Sequence, residues 1–157
     1  KSENWILTLT TDDVLIAGSI NAFGVLPKDA YDITLFSISR GRSFDNLDNN
    51  YLARLNFYYP SATYTDYQSD EIKKFENTFV QRYNNLPSQN AFKGFDMVYD
   101  ALARLARRKN LIDKDHFGIS RRTSCLFDLH ENATSNKIIN KGVFLLKYEG
   151  LAIKLVE

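Results

Sequence analysis

The stretch with the clearest chemical potential is Arg40-Gly41-Arg42-Ser43. Two guanidinium groups beside a glycine can hold an anion, because arginine binds carboxylate or phosphate through paired hydrogen bonds. The stretch follows a predicted strand, and open α/β sheets bind their ligands beyond the carboxyl ends of strands. An anion site at Arg40, Arg42 and Ser43 is therefore one interpretation, and it would suit a small α/β enzyme with a phosphorylated substrate. A solvated loop without a ligand is the alternative.

The other nucleophilic and metal-binding side chains form no motif. His116 and His130 have no partner at metal-ligand spacing, and neither HExxH nor CxxC occurs. The single cysteine, Cys125, has no histidine at a fixed spacing and is typical of a small core residue. The common phosphate-binding and nucleophile loops, GxxxxGK[ST], GxGxxG and GxSxG, are also absent. We therefore expect no metal and no cofactor.

Composition narrows the possible partners. The 157 residues include 20 basic and 19 acidic side chains, for a net charge of +1, which does not favour nucleic acid. One basic cluster could still form a patch, although a charged helix end is the simpler interpretation. Its members are Arg104, Arg107, Arg108, Lys109, Arg121 and Arg122. No apolar run approaches the roughly 20 residues of a membrane helix, so we predict no membrane insertion. Because the chain begins with Lys1, we expect an excised fragment or a processed product.

The first 60 residues predict a strand, a helix and a second strand joined by short links, which is a parallel βαβ unit. The strands are expected at Trp5–Thr10 and Asp32–Ile38, with a helix from Val14 to about Gly24. A loop over Arg40–Asn50, a short helix over Asn50–Leu55 and a strand over Phe57–Pro60 complete this part.

Residues 69–108 predict two amphipathic helices separated at Pro87, since proline cannot continue a helix. The first helix carries an apolar stripe at Ile72, Phe75, Phe79 and Tyr83. The stripe of the second helix comprises Phe95, Val98, Tyr99, Leu102, Leu105 and Ala106. Spacings of three and four place such residues on one helix face.

The last part of the chain predicts β-structure. We expect a turn or short strand over 117–120, a strand over Cys125–Leu129, and a loop over His130–Lys141. Two strands, 143–148 and 151–156, flank Glu149-Gly150 and predict a terminal hairpin. The whole is expected to be one α/β domain with three segments, at 1–68, 69–108 and 109–157.

The order of residues in the helix pair resembles the type 1 periplasmic binding fold, in its branched-chain amino-acid binding branch. The pattern is Phe79-Val80-Gln81-Arg82-Tyr83, then Pro87, then Ala91-Phe92-Lys93-Gly94-Phe95-Asp96 before an alanine- and leucine-rich helix. Downstream, Asn140-Lys141-Gly142-Val143-Phe144 is similar to a late strand entry of the family. The resemblance implies a parallel, three-layer Rossmann-like lobe with a C-terminal β-hairpin.

In that family two lobes enclose a solute, and this chain resembles only the second half of the module. The helix pair belongs largely to the first lobe, whose leading strands would be missing here. Thr10, Thr11, Arg40 and Tyr64 fall where family members place cleft contacts, and Tyr64 also belongs to an aromatic connector that could line a cleft. The other connector tyrosines are Tyr58, Tyr59 and Tyr67.

The expected function is therefore non-enzymatic binding of an amino-acid-like solute in the periplasm or cell envelope. A ligand-free structural or interaction domain that binds a protein partner is the alternative. An unpaired lobe would also expose apolar surface, from which we expect a homodimer to be possible.

Overall fold

The computed structural model describes residues 2–108, 118–132, 134, 135 and 137–156, with the side chains of Ser43 and Arg108 left out. The strands are β1 (Ser2–Thr8), β2 (Tyr31–Ser37), β3 (Tyr58–Ser61), β4 (Ile119–Arg121), β5 (Leu126–Asn132), β6 (Lys137–Asn140), β7 (Phe144–Glu149) and β8 (Ala152–Leu155). The α-helices are α1 (Asp13–Gly24), α2 (Asn49–Arg54), α3 (Asp70–Tyr83) and α4 (Gln89–Arg108), with a 3-10 helix at Arg42–Asn46. The chain forms two compact units, one up to Ser61 and again from Phe144 onward, and the other from Ala62 to Val143.

The first unit contains a five-stranded sheet in the order β1-β2-β3-β7-β8. β1, β2 and β3 are parallel, whereas β7 and β8 join as an antiparallel hairpin. The predicted α/β class and the terminal hairpin are confirmed, but the sheet is mixed rather than parallel throughout. The turn lies one residue later than predicted, because Glu149 pairs with Ala152 and leaves Gly150 at a positive φ of 60°.

The predicted βαβ unit is confirmed, but both strands lie earlier in the chain than predicted, at Ser2–Thr8 and Tyr31–Ser37. β1 ends at Thr8 because the chain turns towards the start of α1, where the Asp12 carboxylate accepts hydrogen bonds from the backbone of Val14 and Leu15. α1 ends at Gly24, which lies against the ring of Tyr51 in α2. A Cβ at Gly24 would come within 2.7 Å of that ring, so the close approach of these helices requires glycine.

The core of the first unit lies on one face of the sheet under α1, α2 and the 3-10 helix. Its most buried side chains are Ile20, Leu35, Phe44, Leu52, Leu55 and Phe57. The prediction of a loop over Arg40–Asn50 was wrong at its centre, since Arg42–Asn46 is helical. Phe44 explains the difference, because its ring stacks on Phe57 with centroids 5.0 Å apart and pulls this segment into the core.

The second unit contains the predicted helix pair and a three-stranded antiparallel sheet, β4-β5-β6. Ser69 caps α3 through a hydrogen bond from the Ile72 amide, and Asn84 ends it in the left-handed conformation at φ 52°. The helix pair is therefore confirmed. The first residue of the turn or short strand predicted over 117–120 lies outside the described residues, and β4 at Ile119–Arg121 includes the last two.

The prediction of a loop over His130–Lys141 was wrong. β5 extends to Asn132 and pairs with β6, whose Ile138 and Ile139 supply the β-branched residues that strands favour. The hairpin closes tightly at its base, where a Cβ at Gly142 would lie 2.1 Å from the carbonyl oxygen of Leu126. Only glycine fits at that position.

Candidate functional site

The carboxyl ends of β1 and β2 bring together most of the predicted ligand residues. Because these strands are parallel and Thr8 lies opposite Ser37, the segments that follow them leave the same edge of the sheet. One segment carries Thr10 and Thr11, and the other carries Arg40, Arg42 and Ser43. We call this group the β1–β2 edge. It is the usual position of a ligand on an open α/β sheet.

The two threonines of the β1–β2 edge differ in hydrogen bonding and exposure. The Thr10 hydroxyl accepts a hydrogen bond from the backbone N–H of Asp12 at 3.0 Å, and so helps to begin α1. Thr11 is exposed. Thr10 therefore has a structural role in the chain, while Thr11 remains open to solvent.

Arg40 is bound within the first unit. Its Nε donates to the Tyr148 hydroxyl at 3.1 Å, and its Nη2 lies 2.8 Å from Oδ1 of Asp45. Burial lowers the pKa of Arg40, but the hydrogen bonds to Tyr148 and Asp45 outweigh it and raise the pKa overall. Arg40 thus joins the segment after β2 to β7, and its charge is already compensated by Asp45.

Arg42 is the more available cation of the pair. Its side chain is exposed, and it makes no ion pair or hydrogen bond with the described residues. Ser43 lies within the 3-10 helix, and its side chain is not described. A carboxylate, Asp45, is present beside this segment, although Arg40 binds one of its oxygens.

Tyr64 belongs to the second unit, unlike the other five predicted ligand residues. Its backbone N–H donates to the carbonyl oxygen of Ser124 at 2.9 Å, next to a β-bridge between Thr63 and Cys125. Its side chain is half-buried. Thr63 and Tyr64 are therefore held against the segment just before β5.

Sequence reasoning missed an important buried side chain of the second unit, Asp96. This carboxylate is fully buried, and its two oxygens accept five hydrogen bonds from the segment before β5. Oδ1 accepts from the amide and hydroxyl of Thr123 at 3.1 and 2.5 Å. Oδ2 accepts from the amide and hydroxyl of Ser124 at 2.7 and 3.0 Å, and from the amide of Cys125 at 2.8 Å. Charge-assisted bonds of this kind are strong and hold the segment against α4.

Asp100, one helical turn later, makes a second contact between α4 and the residues before β5. Its Oδ1 accepts from the Ser120 hydroxyl at 2.6 Å and from Nη2 of Arg122 at 2.8 Å, while its Oδ2 accepts from Nε of Arg104 at 2.6 Å. Burial raises the pKa of Asp100, but these donors outweigh it and the pKa is lowered overall. We call Asp96 and Asp100 the carboxylate clamp.

The clamp also involves two members of the predicted basic cluster. Arg104 and Arg122 are bound to Asp100, so they do not form a free basic patch. Lys109 lies outside the described residues. A signal was present in the sequence, since Phe92, Asp96 and Asp100 are four residues apart and Arg104 follows at the same spacing.

The residues that the spacing predicts as the apolar stripe of α4 are exposed. Val98 and Leu102 are 60% and 59% exposed, and Phe95, Tyr99 and Leu105 are exposed as well. The face of α4 that is buried carries Phe92 and the carboxylate clamp. The stripe therefore leaves five large apolar side chains of one helix accessible to solvent.

A cavity of about 220 Å³ lies beside the start of α3. Its lining includes acidic Asp66 and Glu71 and basic Arg121 and Arg122. The Arg122 guanidinium is bound to Asp100, and the Asp66 carboxylate accepts from the amide of Gln68. Two of the polar side chains that line the cavity thus already form hydrogen bonds within the chain.

Cys125 is half-buried, and burial is the main factor that raises the pKa of its thiol. The described residues contain no cluster of His, Cys, Asp and Glu that could hold a metal ion; His116 lies outside them. None of the described helices combines the length and apolar character needed to cross a membrane.

Comparisons with protein-family models, curated proteins and solved structures found no match.

Proposed function

We propose that this chain is a non-enzymatic, solute-binding-like part of a cell-envelope protein, related to the type 1 periplasmic binding fold. In this proposal it supplies a Rossmann-like lobe and crossing segments, and the solute is an amino acid or small peptide held in an interlobe cleft. The ordered residues from Phe79 to Asp96 and the parallel β1-β2-β3 arrangement support it. A periplasmic or envelope location follows from the same resemblance.

The exposed stripe of α4 is the observation that carries the proposal. Burying one large apolar side chain contributes about 1.5–3 kcal/mol, so a helix with five of them on one stripe is suited to lie against another surface. In the family that this sequence resembles, the helix pair packs in the first lobe. This chain resembles only the second half of the module. An exposed stripe on its helix pair is therefore consistent with packing against the first lobe.

The β1–β2 edge supplies the solute contacts in this proposal. Thr11 and Arg42 are exposed there, and Arg42 has no carboxylate bound to it among the described residues. An α-carboxylate could therefore be bound by Arg42 and by the Thr11 hydroxyl. Arg40 and Thr10 would act mainly by fixing the shape of the two segments.

Thermal-shift and calorimetric titration with the common amino acids and with di- and tripeptides tests the proposal. A ligand at 100 times its dissociation constant stabilises the folded protein by about 2.7 kcal/mol, so Tm should rise. Arg42→Gln should weaken the response, whereas the control Lys137→Gln on exposed β6 should leave it unchanged. No response across the whole panel contradicts solute binding.

A ligand-free interaction domain is the second candidate. The hydrogen bonds that Arg40 makes within the chain favour it. Asp45 and Tyr148 already occupy this guanidinium, and Thr10 is occupied by the turn before α1. In that case a protein partner would cover the α4 stripe, and no small molecule would be required. A small enzyme acting at the Arg40–Ser43 segment is less well supported, because Arg40 binds the neighbouring carboxylate of Asp45.

A further inference from the structure

The two edges of the five-stranded sheet differ in how they resist pairing with another strand. β8 is four residues long and carries Lys154, whose ammonium lies 3.3 Å from the Glu149 carboxylate. Short strands and lysines are the usual features that block an edge. β8 is therefore a protected edge.

β1 at the other end of the sheet lacks these features. It is seven residues long, it pairs with β2 without a bulge over its whole length, and it contains neither proline nor lysine. Its register pairs it with β2 alone among the described strands. An edge strand presents a row of backbone N–H and C=O groups to the outside, so β1 offers a template for a further strand.

The side chains of β1 add apolar surface to this template. Trp5 and Leu7 are 70% and 61% exposed and point to the same face of the sheet. The Trp5 ring also packs on Phe36 of β2, with centroids 5.4 Å apart, and this contact restricts its movement. Both observations favour a strand that would cover the outer side of Trp5.

We infer that β1 is a self-association surface, at which the β1 strands of two copies pair antiparallel about a two-fold axis at Trp5. Trp5 is the central residue of β1, so this register places the two indoles directly opposite each other and Glu3 opposite Leu7. Aromatic cross-strand pairs are favourable, and two-fold dimers are the commonest oligomers. The proposal is independent of solute binding.

The charges of β1 permit a second copy as the occupant. Glu3 is the single charged residue between Ser2 and Thr8, and in this register the two Glu3 side chains lie roughly 14 Å apart along the strands. That separation exceeds the Debye length at physiological salt, so the like charges hardly repel. The β1 edge is thus compatible with its own copy in both backbone pattern and charge.

The experiment is analytical ultracentrifugation of the whole chain over a range of concentrations, with tryptophan emission measured in parallel. Trp5 is the single tryptophan, so its emission reports directly on the centre of the interface. We expect a concentration-dependent dimer and a blue shift of emission as the dimer forms. A monomer at all concentrations, or a dimer without a spectral change, would overturn the proposal.

Variants locate the interface. Trp5→Lys places two lysines opposite each other and should raise the dissociation constant about tenfold or more. Mixing it with Trp5→Glu should restore the dimer, since opposite charges then face each other. The control Leu151→Lys adds the same charge at an exposed position in the β7–β8 turn and should not weaken association.

Circular dichroism should show that these variants retain the native secondary structure, and Leu7→Lys offers a second substitution on the same strand. Association that persists in both β1 variants but is lost in Leu102→Lys would overturn the proposal. That result would place the contact at the exposed stripe of α4 instead.

Discussion

The two units of this chain are stabilised in different ways. The first unit contains most of the buried apolar side chains, including Phe44, Leu52 and Phe57. In the second unit, Ile72 and Phe92 are the buried apolar residues among those described, and the carboxylate clamp is buried beside them. One unit therefore has an ordinary hydrophobic core, whereas the other depends strongly on buried, hydrogen-bonded charge.

This difference explains why α4 exposes its apolar stripe. The Asp96 carboxylate accepts five hydrogen bonds, all from backbone and hydroxyl groups before β5. A buried carboxylate without such partners would cost several kcal/mol, so the face of α4 that carries Asp96 and Asp100 turns towards these donors. The apolar stripe, on another part of the helix surface, is then left exposed.

The largest expected effect tests the core of the first unit. Phe57→Ala removes a fully buried ring that stacks on Phe44 and Tyr59, and should destabilise that unit by about 4 kcal/mol. Hydrogen exchange should show the loss of protection in β2, β3 and β7. If α4 lost protection first, the contrast between the units would be wrong.

The next effect tests the carboxylate clamp. Asp96→Ala leaves buried donors of Thr123, Ser124 and Cys125 without their acceptor, and should cost about 3 kcal/mol. Hydrogen exchange should increase in α4 and β5. The exposed control Asp29→Ala should change stability by less than about 0.5 kcal/mol. An equally small effect at Asp96 would contradict a stabilising role for the clamp.

A smaller effect concerns pH. The folded pKa of Asp100 lies below its ordinary value of 3.8, so its contribution to stability is fully present above that value. The contribution is lost as the pH falls through the folded pKa, because protonation weakens the bonds from Arg104 and Arg122. Acid titration followed by hydrogen exchange should therefore open the second unit, and Asp100→Asn should reduce this pH dependence. An unchanged acid profile would rule out Asp100 as its source.

The smallest effect concerns the exposed stripe. Leu102→Ser should change the stability of the isolated chain by less than about 0.5 kcal/mol, because the side chain is already largely exposed. Chemical denaturation provides the measurement. A loss of about 2 kcal/mol would show that Leu102 is covered in solution. The matched change at a core position, Leu52→Ser, should by contrast be strongly destabilising.

Local sequence signals predicted the elements well. The helix pair followed from the spacing of three and four and from Pro87, and the terminal hairpin followed from β-rich runs around Gly150. The predictions failed where a distant contact decides the conformation. Phe44 makes its segment helical by stacking on Phe57, and β6 exists because β5 provides its partner.

The candidate site was predictable only in part. Parallel pairing of β1 and β2 brought Thr10, Thr11, Arg40 and Arg42 to one edge, as the βαβ pattern indicates. The sequence offered no means of knowing that Arg40 would bind Tyr148, which lies 108 residues away. A partner at that separation depends on the order of strands, which local periodicity does not contain.

By itself, the sequence determined that α4 is an amphipathic helix, because its apolar residues recur with the helical period. Only the tertiary structure decided which face of α4 is buried. Periodicity measures apolar content alone, whereas burial also depends on whether charged groups find partners. Asp96 and Asp100 found theirs in residues 120–125, and this outweighed burial of the apolar stripe.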